Sequence, residues 1–179
     1  MIPRYLVLRE RIEAELADIE RAARKAVQAY EEARRSDRQQ TFFLDSVAIN
    51  LHSFYNGVER IFELLARELD GGLPTGAAWH RDLLVQMSLE VEGVRPAVIR
   101  AETAASLDEY LRFRHLVRNL YTWNFEEAKL SQLVTGLDRV LADLDTDLST
   151  FGRYLQAASR ADEFPEPPPD NPPSTHGTT

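Results

Sequence analysis

From Leu130 to Leu155, apolar side chains recur at steps of three and four: Leu130, Leu133, Leu137, Val140, Leu144, Leu148, Phe151 and Leu155. That spacing follows the 3.6-residue turn of an α-helix and puts all eight on one face. It is the most regular pattern in the chain and constrains the fold more than any other feature. A helix this long with one apolar stripe must bury the stripe against another layer. No segment alternates with the period of two that a half-buried strand requires, so the partners are expected to be helices.

Four other segments supply them. Residues 4–36 carry Leu8, Ile12, Leu16, Ile19, Ala23, Val27 and Tyr30 at the same steps, with Glu and Arg dense between them as a solvated face. Ser36 to Gln40 is polar and reads as a break. A second helix is expected from Phe42 to Leu69, buried along Val47, Leu51, Phe54, Val58, Ile61 and Leu65, and ended by the breakers Asp70-Gly-Gly-Leu-Pro-Thr-Gly76. A shorter third helix spans Trp79 to Val91. Ser106, with Glu109 three residues later, reads as a capping box that opens a fourth helix ending near Trp123. The fifth covers 126–158. The expected fold class is all-α: an antiparallel helical bundle of four main helices plus one short one, within a domain of residues 1–159. Residues 160–179 are rich in proline, which removes donors and fixes φ, and are expected to form a disordered or extended tail. His176 lies in it and is given no role.

Size and composition narrow the function. The chain has 179 residues, enough for one domain, and a net charge of −8, which argues against coating nucleic acid with the whole surface. A local basic site remains open. There is no cysteine, so thiol nucleophiles, disulfides and cysteine-ligated zinc are excluded. The start, Met-Ile-Pro-Arg-Tyr-Leu, lacks the apolar run of a signal peptide, and no stretch approaches the ~18–20 apolar residues of a membrane span. A soluble, cytoplasmic protein is expected. Asp70-Gly-Gly follows a helix rather than a strand and does not read as a phosphate loop.

The chemistry concentrates in Tyr110-Leu-Arg-Phe-Arg-His-Leu-Val-Arg-Asn-Leu-Tyr121. On a helix, Leu107, Tyr110, Arg114, Val117 and Tyr121 share one side, so Arg114 falls inside an apolar stripe where a charge requires a partner. Two readings follow. Arg114 grips a phosphate, or it pairs with a buried acid such as Glu59 on the second helix. Arg112 and Arg118 offer further cations, and guanidinium keeps its proton near neutrality. His115 is the residue of this cluster whose ordinary pKa, about 6.5, suits proton transfer. Asn119 can orient or donate and cannot titrate. Earlier in the chain His52, Tyr55 and Glu59 follow at helical steps. Two ligands do not complete a metal site, so an ordinary helix–helix polar contact is the expectation there. No metal or cofactor is expected.

Two segments carry a resemblance. Asp45-Ser-Val-Ala-Ile-Asn-Leu-His-Ser-Phe-Tyr-Asn-Gly-Val-Glu-Arg-Ile-Phe-Glu63 resembles the second helix of HepT-like proteins of the HEPN superfamily, and Arg112 to Tyr121 resembles their motif helix. The resemblance implies a dimeric, helical ribonuclease toxin that cleaves RNA without metal. It also implies an MNT nucleotidyltransferase antitoxin that transfers AMP to a tyrosine beside the motif. The family motif is Arg, four to six residues, then His, often followed by any residue and Tyr. Arg114 matches the Arg and Tyr121 the tyrosine, while position 119, where the His would fall, holds Asn. On this reading Arg114, His115 and Asn119 are the catalytic candidates, Arg112 and Arg118 bind substrate, Glu59 supports Arg114, and Tyr121 is the modified residue. The alternative is a HEPN module that binds RNA or its nucleotidyltransferase partner and cuts nothing.

Overall fold

Helices form where the apolar spacing predicts them. A computed structural model of the chain describes residues 4–119 and 125–163. It contains α1 (Arg4–Arg35), α2 (Gln40–Leu69), α3 (Trp79–Met87), α4 (Ala101–Asn119) and α5 (Glu127–Glu163). No β-strand occurs among the described residues; Val91 and Arg95 form an isolated bridge. None of the helices among those residues is long and apolar enough to cross a membrane.

The helix α2 is the hub and packs against all four others. With α1 it forms a hairpin across residues 36–39. On α1, Ile12, Ile19, Ala23, Ala26, Ala29 and Ala33 are all buried, while Val27 and Tyr30 are only partly covered. Small side chains allow a close approach, as at Gly57. A Cβ placed there would stand 2.5 Å from Cγ1 of Ile19. Against this hairpin lies α5, whose eight periodic residues from Leu130 to Leu155 are all buried. Along α2 lies α4, with α3 beside it. Tyr110 is buried in the seam with α5, where its hydroxyl donates to the carbonyl of Leu133 at 2.8 Å.

Two boundaries differ from the sequence expectation. The fourth helix begins at Ala101, so Ser106 lies inside it and its hydroxyl donates to the Glu102 carbonyl at 3.0 Å. A serine within a helix satisfies itself by this bond to the previous turn, so no capping box forms. One backbone N–H at the true start, that of Arg100, is met from another helix. Asp147 of α5 accepts from the Arg100 backbone N–H at 3.0 Å, from the Thr103 hydroxyl at 2.6 Å and from Arg100 Nε at 2.6 Å. A carboxylate at that end also suits the helix dipole. At the other end of the chain, α5 runs through Glu163, so residues 160–163 are helical, contrary to expectation. Proline restricts itself and the residue before it, and the first proline after Pro96 is Pro165. The rest of the expected tail lies outside the described residues.

The third helix stops at Met87 rather than Val91 because a buried arginine reels in the following chain. The Arg95 side chain is 0% exposed. Its Nε and Nη2 each donate to Asp70 at 2.7 Å, and its remaining N–H groups reach the carbonyls of Gln86, Leu89 and Pro96. Gln86 also donates to Asp70 at 2.5 Å. The end of α2, the end of α3 and the loop toward α4 are thereby tied at one point. Arg95→Ala leaves Asp70 buried without its cation and should lower stability by about 3–5 kcal/mol, read from the urea midpoint. Arg139→Ala, from an exposed site with a 3.9 Å contact to Asp143, should leave that midpoint unchanged.

Candidate functional site

His52, Asn56 and Glu59 follow at steps of four and three on α2 and therefore share a face. Arg114 of α4 meets that face. Its Nε donates to Asn56 Oδ1 at 2.8 Å and its Nη2 to Glu59 Oε1 at 2.7 Å. The first turn of α3 adds His80, whose Nδ1 lies 2.7 Å from Glu59 Oε2 and whose Nε2 lies 3.4 Å from Arg114 Nη1. Glu59, His80 and Arg114 thus form a closed triangle, with exposures of 5%, 8% and 7%. A neutral His80 with its proton on Nδ1 satisfies every side: it donates to Glu59 and accepts from Arg114. The indole of Trp79 stacks on the His80 ring at 3.6 Å, and the His115 ring meets it edge-on at 5.3 Å.

The electrostatics follow from this crowding. Burial lowers the pKa of His80, and the charges of Arg114 and Arg118 push the same way. His115 is lowered by burial, then by His80 and Arg114. His52 is lowered by burial, then by Arg114 and Arg118. Burial raises the Glu59 carboxyl while Arg114 pulls it down. Near neutral pH the three imidazoles are held uncharged beside two guanidinium groups, as proton acceptors rather than cations.

The residues singled out from sequence are distributed unevenly. Arg114 and Glu59 are in contact, as the pairing reading anticipated. His115 stands beside them, half-buried. Arg118 is exposed, one turn beyond Arg114, and has no acidic partner among the described residues. Arg112 is not brought to the cluster. It is about 200° around the helix from Arg114, exposed, and bonded to Asp108 of its own helix at 2.5 Å. Asn119 is the last residue of α4, and its side chain and the whole of Tyr121 lie outside the described residues. Sequence reading missed Asn56 and His80. Asn56 was within reach, since it shares a face with His52 and Glu59. His80 had no local signal, because only the fold carries α3 across to α2. His52 does not make the helix–helix contact expected of it: its Nδ1 is enclosed with no hydrogen-bond partner among the described residues.

Removing one partner of the triangle should cost more than removing the charge altogether. Glu59→Leu leaves Arg114 buried and unpaired and should destabilise by about 3–5 kcal/mol. The double variant Glu59→Leu with Arg114→Met should recover most of that loss, measured as urea midpoints. The histidines also set a pH response. Where a folded pKa lies below the unfolded value of about 6.5, the unfolded chain holds more protons between the two, so stability rises with pH in that window. The melting temperature should therefore fall as pH is lowered from 7.5 through 6.5 and down past the depressed folded values. Glu59, with its pKa raised, acts in the opposite sense, so the His52 share is read by difference: His52→Gln should fall less steeply than wild type.

Comparison with known proteins adds the family. No match was found among curated proteins or among solved structures. The family model described as HepT-like protein matches residues 46–155. That span covers α2 with His52, Asn56 and Glu59, His80 of α3, and the whole of α4, so every residue of the cluster falls within it. The polar cluster at the α2–α4 seam is therefore set in a matched helical frame, and the chain belongs to the HepT-like proteins of the HEPN superfamily.

Proposed function

We propose that the protein is the RNA-cleaving toxin of a toxin–antitoxin pair. It works without a metal ion, as a homodimer, and is neutralised by an MNT-type nucleotidyltransferase that adds AMP to Tyr121. Membership of the HepT-like family supports the system, since such proteins are typically one half of these pairs. The observation that carries the reading for this chain is Arg118. It is an exposed cation without an acidic partner among the described residues, beside uncharged histidines and anchored one turn away by buried Arg114.

The division of labour follows from exposure. Arg114 spends its guanidinium on Asn56, Glu59 and His80, so its role is to hold α4 in place and to add positive potential. Arg118 is the group that meets a phosphate in solvent. His115, kept neutral, takes the proton from the RNA 2′-hydroxyl. The 2′-oxygen then attacks phosphorus, the bond to the 5′-oxygen breaks, and that oxygen takes up a proton from solvent, giving a 2′,3′-cyclic phosphate and a 5′-hydroxyl. Asn119 orients and does not exchange a proton. A two-fold pairing of α4 helices would double the narrow basic patch of an acidic chain. Phosphate charge added at Tyr121 would compete with the substrate at the same place.

A second reading has its own observation. Asn119 stands where the family motif has a titrating histidine, which favours a module that binds RNA or its partner without cutting. One assay separates the two: cleavage of end-labelled RNA in EDTA by purified protein, alone and after co-expression with its nucleotidyltransferase. We expect cutting by the wild type. His115→Ala should lose on the order of 10²–10⁴-fold, and Asn119→Ala should lose less. Co-expression should abolish cutting in the wild type and spare Tyr121→Phe. Full activity in His115→Ala would remove that residue from proton transfer, and a wild type that never cuts would leave the binding module.

A further inference from the structure

The polar groups facing the α2–α4 seam are nearly all consumed by one another. Asn56 accepts from Arg114. Both oxygens of Glu59 are occupied, one by Arg114 and one by His80. Both nitrogens of His80 are occupied, by Glu59 and Arg114. His52 differs. It lies one turn before Asn56 on the same face, and the positive charges of Arg114 and Arg118 act on it, yet Nδ1 makes no hydrogen bond among the described residues. Enclosed polar groups are rarely left without a partner, and each exception calls for an explanation.

The ring's geometry states what it offers. Nδ1 is the enclosed nitrogen, and the ring as a whole is only partly buried, so its other edge reaches outward. A proton on Nδ1 would be an unmet donor inside the protein beside two guanidinium groups. The proton therefore sits on Nε2, at the open edge. An N–H donor there, across from an exposed Arg118, is suited to an anionic oxygen. A carboxylate side chain does not fill this position in the described residues.

We propose that His52 contacts the phosphate backbone of bound RNA, donating from α2 while Arg118 supplies the charge from α4. The inference rests on the RNA-directed reading above and adds a ligand-contacting residue from a different helix, outside the Arg112–Tyr121 segment. It also sorts the groups of the site: Arg118 and neutral His52 face the ligand, and Arg114 holds the helix that carries Arg118. An anion bound at this edge accepts from Nε2 and leaves the enclosed Nδ1 without a proton, so the ring stays neutral in the complex.

The test uses the full chain and a 2′-O-methyl RNA oligonucleotide, which binds and cannot be cut by attack of its own 2′-oxygen. Affinity is read by fluorescence anisotropy. His52→Ala should weaken binding about ten- to a hundredfold, the range of one hydrogen bond to a charged acceptor, and Arg118→Ala should weaken it and flatten its salt dependence. His52→Gln, which keeps an N–H donor, should restore part of the loss. In the wild type, saturating RNA should shift the resonance of the protonated His52 Nε2 while Nδ1 keeps that of an unprotonated nitrogen, a change that packing alone does not produce. Wild-type binding with unchanged affinity in His52→Ala, or with unmoved His52 resonances, overturns this proposal and leaves the RNA reading intact. Absence of wild-type binding overturns both.

Discussion

The carboxylate of Glu59 sits between the guanidinium of Arg114 and the imidazole of His80, and the arrangement of three helices depends on it. The α4 stripe of Leu107, Tyr110, Arg114 and Val117 is buried throughout. A guanidinium in that stripe without an anion would carry a desolvation cost that hydrophobic burial of one side chain does not offset. With Glu59 in place the charge is neutralised at depth, and α2, α3 and α4 are joined at one point. Turning Arg114 inward has a direct consequence for the surface. Arg118, one turn later, emerges at the edge of the same cluster, and Arg112 is carried to the other side of the helix.

Two further acids act in the same way at the ends of elements. Asp70 holds Arg95 across 25 residues of sequence, and Asp147 holds Arg100 across 47; Glu59 and Arg114 are 55 apart. Apolar stripes tolerate a slip by one turn, because leucine against leucine looks much the same after it. A buried guanidinium displaced by a turn loses its carboxylate. The pairs at buried Arg95 and Arg114 therefore specify register where the apolar contacts supply most of the cohesion, while Arg100 is half-exposed and only its Asp147 is buried. They also explain how a helix as weakly amphipathic as α4 is placed: its start is capped from α5, and its buried arginine is held from α2.

The cluster divides into an internally bonded base and a partly open rim. Groups that are saturated internally, Asn56, Glu59, His80 and Arg114, form the base. Groups that reach solvent, Arg118 and parts of His52 and His115, form the rim. Such a division suits a surface that meets phosphate, since rigid support lowers the ordering that binding requires. Of the two readings open for Arg114 in the sequence, the contacts to Asn56, Glu59 and His80 show the buried pairing.

The helices themselves were legible in the sequence. The stripe of Leu130 to Leu155 and the stripe of α2 follow a 3.6-residue period, and burial of an amphipathic face is a local property repeated many times over. The Glu59–Arg114 pairing was also within reach, because an arginine inside an apolar stripe demands an acid and α2 offered one. What failed were readings that needed a partner from far away. Ser106 and Glu109 formed a persuasive capping pattern, but the helix starts earlier because Asp147, far along the chain, caps it. Met87 ends α3 because Arg95 folds back onto Asp70. His80 joins the site only because the loop after α2 carries α3 across to its face. The sequence by itself determined which segments are helical and which faces are apolar, since those depend on neighbours three and four residues apart. Only the tertiary structure decided where α4 begins, which arginine is spent inside and which histidines share its surroundings, because hydrogen bonds and charge pairs form between groups that the chain brings together only when it folds.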